Sequence, residues 1–298
     1  MALGAYVTKF TAKLDQIIER ETLTADLNMN GDLLGEFADS GEIKVAKLSM
    51  DGLANYDRAK GFVPGNVSTD WETFKLRHDR AREFEVDAID DEERAAVLSA
   101  NLMAEFERTK VIPEVDAVRF ATIATNAGGT AAAKVATPAE ALKALLAGEQ
   151  AVEDAGADLS QCVLYCTSAF KGLIRQAQPY RLDQGADPNG SFKTFDEMKL
   201  VTVPSARFQT KFDLLDGTTS GQNAGGFKPA ADAKAIDFLI VHPSAVAAIQ
   251  RHEKLRYFAP DANQSKDAHL WQYRLYHDLL VYEAKKPLIY AHTASAKA

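Results

Sequence analysis

The stretch DRAREFEVDAIDDEERAAVLSANLMAEFERTKVIPEVDAVRFATIATNAGG (79–129) holds one strand and then the longest helical signal in the chain. Arg82, Phe84, Val86 and Ala88 alternate with Glu83, Glu85 and Asp87, the two-residue period of a strand. At Asp90 the period changes. Asp90 and Glu93 form an Asp-x-x-Glu helix start, and Asp91 and Glu92 add negative charge where a helix dipole favours it. Val97, Leu98, Leu102, Met103 and Phe106 then recur at three- and four-residue spacing, with Glu105, Glu107 and Arg108 outside. Pro113 lacks the N–H that an interior position needs. Either a first helix ends near Lys110 and Pro113 opens a second, or one long helix is kinked there. Val115, Val118, Ile123 and Ala124 continue the pattern until Gly128-Gly129 stops it. A helix this long serves as a scaffold to which other elements dock.

Upstream, residues 3–20 read as an amphipathic helix with Val7, Phe10, Leu14, Ile17 and Ile18 on one side. Residues 23–41 are turn-rich and read as an arm held by contacts with something else, and 41–52 alternate as a strand through Ile43 and Val45. From Asn55 to Ile89 charges of both signs replace aliphatic residues, and Lys60–Asn66 reads as a turn or loop. Thr69–Arg77 and Arg82–Ala88 read as two strands around a turn at His78-Asp79-Arg80. An isolated hairpin is marginal in water, and this one has too few apolar residues for a core. Yet Trp71, Phe74 and Leu76 are poor choices for solvent. The hairpin either projects and finishes its burial on a neighbouring molecule or folds onto its own domain.

Downstream, residues 130–136 (TAAAKVA) read as a small-residue linker. Thr137-Pro138-Ala139-Glu140 combines an N-cap threonine, a proline at the first helical position and a glutamate at the third, so a helix runs from there to Gly156. CVLYCTS (162–168) reads as a buried strand, 168–177 as a helix, 178–198 as loop, and 198–208 as containing a strand closed by Pro204. Residues 216–234 read as a long polar loop, 235–255 as a strand, a Pro243 break and a short helix, and 270–293 as strand-rich. The middle third is therefore mixed α/β.

The 298 residues suffice for a sizeable core, as one large domain or two interleaved ones. A net charge of −8 argues against tight, charge-driven nucleic-acid binding, though not against a protein that faces DNA without sticking to it. The first twenty residues do not read as a secretory signal and no run is long enough to span a membrane, so the chain reads as cytoplasmic. Cys162 and Cys166 would share one face of a strand at separate levels and read as buried, reduced thiols. Gly217–Lys228 lacks the setting of a phosphate loop, and no nucleophile elbow or His-Glu-x-x-His helix occurs. The six histidines are scattered; His242 reads as packed or hydrogen-bonded, and neither His78-Asp79 nor His277-Asp278 makes a dyad. No active site is expected, and no cofactor or metal.

The run of Asp79, Arg80, Phe84, Val86, Asp87 and Asp90 to Glu93 opens a series that continues through Phe106, Val111, Pro113, Glu114, Asp116, Ala117, Arg119 and Phe120. With IDFLIVHPSAVAAIQRHEKLRYFAP (236–260) and YHDLLVYEAKKPLIYAH (276–292), this series resembles the major capsid proteins of tailed bacteriophages with the Hong Kong 97-type fold. The resemblance spans roughly residues 40–293. It implies an α+β fold with residues 1–40 as N-terminal arm, 41–54 as a peripheral-domain strand and 55–89 as an extended β-hairpin loop reaching over the next subunit. Residues 90–127 would hold the peripheral domain's spine helix, 128–265 the axial domain, and 266–298 the returning peripheral strands. Trp71, Phe74, Lys75, Arg77, Arg80 and Arg82 become inter-subunit candidates, and Phe106, Pro113, Glu114, Asp116 and Arg119 the marked residues of the spine.

The implied function is architectural: hexamers and pentamers of this chain forming a virion shell around double-stranded DNA held non-specifically, assembled in the host cytoplasm with a portal. The N-terminus lacks the long helical extension that some relatives use as a built-in scaffold, so a separate scaffolding protein is expected. Lys60 and Lys75 lie where some relatives form isopeptide cross-links, but no partner Asn is identified and none is expected. The alternatives are an encapsulin-like cargo shell of the same fold and a soluble α/β enzyme.

Overall fold

A computed structural model describes residues 22–28, 42–56, 58, 61–87, 97–177, 194–263 and 265–294. The amphipathic helix expected over 3–20 and the helix start at Asp90–Glu93 lie outside the described residues. Strands β1 (Glu42–Met50), β2 (Val67–Lys75) and β3 (His78–Asp87) precede the long helix. That helix comprises α1 (Val97–Phe106), a wide π turn (Glu107–Val111) and α2 (Ile112–Thr125). Phe106, Val111 and Ile112 all keep right-handed helical backbone angles, so the helix runs on without a break. Of the two readings of Pro113, a continuous helix with a local distortion is the one found. The wide turn ends at Val111, two residues before Pro113, so it covers the carbonyl four back against which an ordinary turn would set the proline ring.

Beyond it lie β4 (Gly129–Ala132), α3 (Pro138–Asp154), β5 (Val163–Thr167), α4 (Ser168–Ala177), β6 (Thr194–Phe195) and β7 (Met198–Val203). Then come β8 (Phe212–Leu214), β9 (Phe227–Pro229), β10 (Ile236–Val241), β11 (Val246–Phe258), β12 (Ala268–Val281) and β13 (Ile289–Thr293). Among the described residues they form a six-stranded sheet in the order β4-β13-β10-β5-β7-β6, a three-stranded sheet β11-β12-β3, and the ribbons β1-β2 and β8-β9.

The helix binds the two larger sheets together. Met103, Val111 and Val115 pack with Leu255, Trp271, Tyr273 and Leu275 of the three-stranded sheet, and Phe106 meets Phe84 and Tyr273 edge-on. Phe120, Ile123 and Ala124 pack instead with Val163, Tyr165, Leu239 and Ala291 on one face of the six-stranded sheet. The opposite face is covered by α3 and α4 through Ala141, Leu145, Phe170 and Ile174. Burying each large side chain of this kind contributes about 1.5–3 kcal/mol, and one helix serves both cores.

Several expectations are corrected. Residues 69–77 do not pair with 82–88: β2 pairs with β1, and β3 pairs with β12. Period-two alternation marks a strand without naming its partner. Residues 246–258 are a strand, not a short helix, because pairing with β12 buries Ala247, Ala248 and Ile249 and overrides their helix propensity. The expected linker after Gly129 is a strand parallel to β13, and the polar loop at 216–234 contains β9. Residues 128–265 are not self-contained, since β11 joins the sheet of β3 and β12 while β13 enters the six-stranded sheet. The N-cap of α3 at Thr137, the strand at 163–167 and the helix at 168–177 stand as read.

Candidate assembly surface

The ribbon β1-β2 keeps nine consecutive register pairs, from Glu42 opposite Lys75 to Met50 opposite Val67. At roughly 3.4 Å per residue it reaches about 30 Å, and among the described residues neither strand pairs with another sheet. Alternation places positions 46, 48, 50, 67, 69 and 71 on one face, with Trp71 opposite Ala46, and positions 45, 47, 70 and 72 on the other. The connecting loop is closed at its base. The Asp51 N–H donates to the Asn66 carbonyl at 3.1 Å, and the Asn66 N–H donates to the Asp51 carboxylate at 2.7 Å. Gly61 supplies a left-handed turn at φ +82°, and Tyr56 and Phe62 touch at 5.0 Å between ring centroids.

Apolar surface is concentrated there. Leu53 is 108% exposed, Phe62 89%, Val67 65%, Met50 63%, Tyr56 60% and Val63 59%. The only other exposed large apolar residue among those described is Leu146. Such a patch on a projecting element marks an interaction site.

The root is fixed to its own chain. Leu76 and Phe74 pack with Ala247, Ile249, Leu280, Tyr276 and Tyr282. The Tyr276 hydroxyl donates to the Leu76 carbonyl at 2.9 Å. The backbone N–H and Nε of Arg77 both donate to the buried Asp278 carboxylate at 3.1 Å. His78 lies across from His277, ring centroids 5.7 Å apart, with its Nε2 3.9 Å from Asp278. Burial lowers the His78 pKa against the opposing pull of Asp278, and burial, with Arg119, His78 and Arg80 nearby, lowers that of His277 to about 3. His277 is therefore a buried neutral ring.

Beyond the root, Arg80 makes a paired contact with Glu114 of α2, the shorter at 2.6 Å, and donates to the carbonyls of Leu215 and Gly226. Arg82 donates to the Asn223 carbonyl at 3.1 Å, so both arginines hold the loop between β8 and β9 against β3. Two residues along the helix, and so on a different side of it, Asp116 is fully buried and accepts from the Thr22 and Thr24 hydroxyls at 2.9 Å each and from Arg207 at 3.2 Å. Arg119 donates to the Thr24 hydroxyl at 2.7 Å, and burial, resisted by Asp116, lowers its pKa to about 10. The spine thus grips residues 22–27, whose Leu27 is buried among Phe120 and its neighbours. Of the segment 23–41 expected to be held by something else, the described part, residues 23–28, is held by its own chain, and the rest lies outside the described residues.

The sequence-marked residues therefore separate. Trp71 and exposed Lys75 lie on the ribbon; Phe74 is half-buried at its root; Arg77, Arg80 and Arg82 bind their own chain there and on β3. Phe106, Pro113, Glu114, Asp116 and Arg119 all lie on the one helix. The loop residues Leu53, Tyr56, Phe62 and Val63 were not singled out by the sequence, although an apolar Gly-Phe-Val-Pro inside a polar stretch was the available signal. The expectation of buried thiols is met: burial pushes Cys162 and Cys166 up to about 11 and about 12, far from thiolate reactivity. His242 caps a short turn, accepting from the Ser244 N–H. Among the described residues no His, Cys, Asp or Glu group is placed to hold a metal ion, and no helix is long and apolar enough to cross a membrane.

No protein-family model matches the chain, and no curated protein matches it by sequence. Solved structures do. A structure from Gordonia phage Cozz aligns with a TM-score of 0.63 at 13% identity over 93% of this chain and 87% of that one. The mature capsid of bacteriophage PhiM1 aligns at 0.55 with 14% identity over 87% and 83%. The virus-like particle from Pyrococcus furiosus aligns at 0.55 with 11% identity over 96% and 99%. At these identities the likeness speaks for the architecture alone, a mixed helix-and-sheet body: the chain has the fold of phage capsid proteins.

Proposed function

We propose that this protein is the self-assembling shell subunit of a phage head, a major capsid protein that encloses double-stranded DNA. The observation that carries the reading is the ribbon tip, where six large apolar side chains stand exposed on an element whose strands, among the described residues, pair only with each other. A neighbouring copy that covers them makes a heterologous contact, and such contacts close into rings. Single contacts of this kind are modest, but arm, ribbon and axial contacts act together, which lets errors dissociate while the finished shell persists. In this reading β1-β2 is the extended loop, the three-stranded sheet with the long helix the peripheral domain, and the six-stranded sheet the axial domain at the five- and sixfold axes. The marked residues of the ribbon, Trp71 and Lys75, belong to the inter-subunit contact. The net charge of −8 suits a wall along which packaged DNA slides. A portal and a separate scaffolding protein complete the assembly, in the host cytoplasm.

The likeness to the Pyrococcus particle along nearly the whole of both chains supports a second reading, a cargo shell without a genome. Negative-stain microscopy and size-exclusion chromatography of the purified protein test the shell; hollow megadalton particles are expected, and a compact monomer at every concentration and salt would overturn it. Nuclease-protected DNA in particles purified from the native source decides for the phage head over the cargo shell.

A further inference from the structure

Beneath the long helix, where the two larger sheets meet residues 22–27, the charges among the described residues do not balance. Arg119 and Arg207 share one carboxylate, that of Asp116. Arg207 donates to it at 3.2 Å. Arg119 reaches it only through the Thr24 hydroxyl, which accepts from Arg119 at 2.7 Å and donates to Asp116 at 2.9 Å. The neighbouring ion pairs are matched one to one: Arg77 with Asp278, Arg80 with Glu114, and Lys199 with Asp26. Arg119 is only 2% exposed and, among the described residues, makes no ion pair of its own. With a pKa of about 10 it keeps its charge at neutral pH, and a buried cation without a counter-charge is costly.

Three polar atoms at this junction have no hydrogen-bond partner among the described residues: Nε of Arg119, the Tyr165 hydroxyl and Nδ1 of His277. All three side chains are buried, and they come from three different elements, α2, β5 and β12. They gather round one guanidinium. Tyr165 meets Phe120, the residue after Arg119, edge-on at 5.1 Å between ring centroids. Burial, with Asp26 and Asp116, pushes the Tyr165 phenol above its usual range against the opposing charge of Arg119, and burial and then Arg119 hold His277 neutral. Tyr165 therefore keeps its proton, and the neutral His277 ring has one N–H to give, so each can donate as the Arg119 Nε–H does. Buried polar groups left unpaired are rare, and here three of them surround an unmatched positive charge.

We propose that Arg119 Nε–H, the Tyr165 hydroxyl and His277 Nδ1–H together hold a small monovalent anion, a halide such as chloride, inside the subunit. A water there would satisfy hydrogen bonds and leave the guanidinium charge unmatched, whereas an anion does both, through charge-assisted bonds. Its place ties the long helix to both larger sheets and, through Thr24, to residues 22–27. The site lies within one subunit, so it stands or falls independently of the shell reading.

The test is the melting temperature of the unassembled subunit at pH 7 in sodium chloride and in sodium gluconate of equal ionic strength, gluconate being too large to be enclosed. Wild type is expected to melt higher in chloride, by about 2–4 °C for each tenfold rise above the dissociation constant. Tyr165→Phe keeps the ring and removes the hydroxyl. In gluconate it should melt at or above wild type, because an unsatisfied buried hydroxyl is gone. In chloride it should melt below wild type, because the anion has lost a donor. A change of the same sign and size in both salts would overturn the proposal and make the occupant a water. Equal melting of wild type in the two salts would overturn it as well. A second measurement needs no variant: crystals of the subunit grown in sodium bromide should show an anomalous peak within hydrogen-bond reach of Arg119 Nε, and ordinary water density there would contradict the assignment.

Discussion

At the residue scale, Asp116 has the most to lose. It is fully buried and accepts from two hydroxyls, a backbone N–H and a guanidinium. Asp116→Ala strands the buried Arg119 charge and should cost about 3–5 kcal/mol, read as a lowered urea midpoint of the unassembled subunit; an unchanged midpoint would contradict the assignment. His277 gives a pH dependence. Its folded pKa of about 3 lies below the usual 6.5, so the unfolded chain binds the extra proton between those values. Stability is present above about pH 6.5 and lost as pH falls toward 3, by up to about 1.4 kcal/mol per unit. Unfolding midpoints at pH 7 and 5 should therefore differ less in His277→Gln than in wild type, and equal differences would show that the ring does not carry the effect. Asp116 and Arg119 were legible as marked positions on a helix. Their partners were not, because Thr22 and Thr24 lie more than ninety residues away and no local pattern points to them.

At the scale of elements, local signals were readable and pairings were not. Thr137 and Glu140 spell a capping box, and both of its hydrogen bonds are present. Thr137→Ala should lower the melting temperature of the subunit through a loss of about 1 kcal/mol, and a change within error would remove the box from the account. The strands 67–75 and 78–87 were visible by alternation, but their adjacency in sequence suggested the wrong partner. The residues that pair with β3 are nearly two hundred positions downstream. The alanine-rich 246–249 looked helical for the same reason: its burial depends on a strand that the local window does not contain. Close approach of backbone was equally hidden. A Cβ at Gly128 would come within 2.6 Å of the Lys286 carbonyl, so Gly128→Ala should destabilise by about 1–3 kcal/mol. A melting curve superposable on wild type would show that the two segments can part there at no cost.

At the scale of the whole molecule, folding and association use different surfaces. The root of the ribbon is buried in its own chain, while the apolar tip is exposed. Leu53→Ser with Phe62→Ser should therefore leave the subunit melting temperature within about 2 °C of wild type, since exposed positions contribute little to stability, yet prevent particle formation. Trp71→Ala should likewise leave a folded subunit and weaken the shell, and equally stable particles from it would remove Trp71 from the contact. The placement of β13 has a different kind of consequence. Synthesised after both of its neighbours, it lies between β4 and β10 and bonds to both. Until residues 289–293 have left the ribosome, the larger sheet stays in two pieces, so a nascent chain that stops short of them cannot enlist its neighbours on the same messenger. Chains cut short ahead of residue 289 should accordingly fail to poison assembly when expressed beside the intact protein.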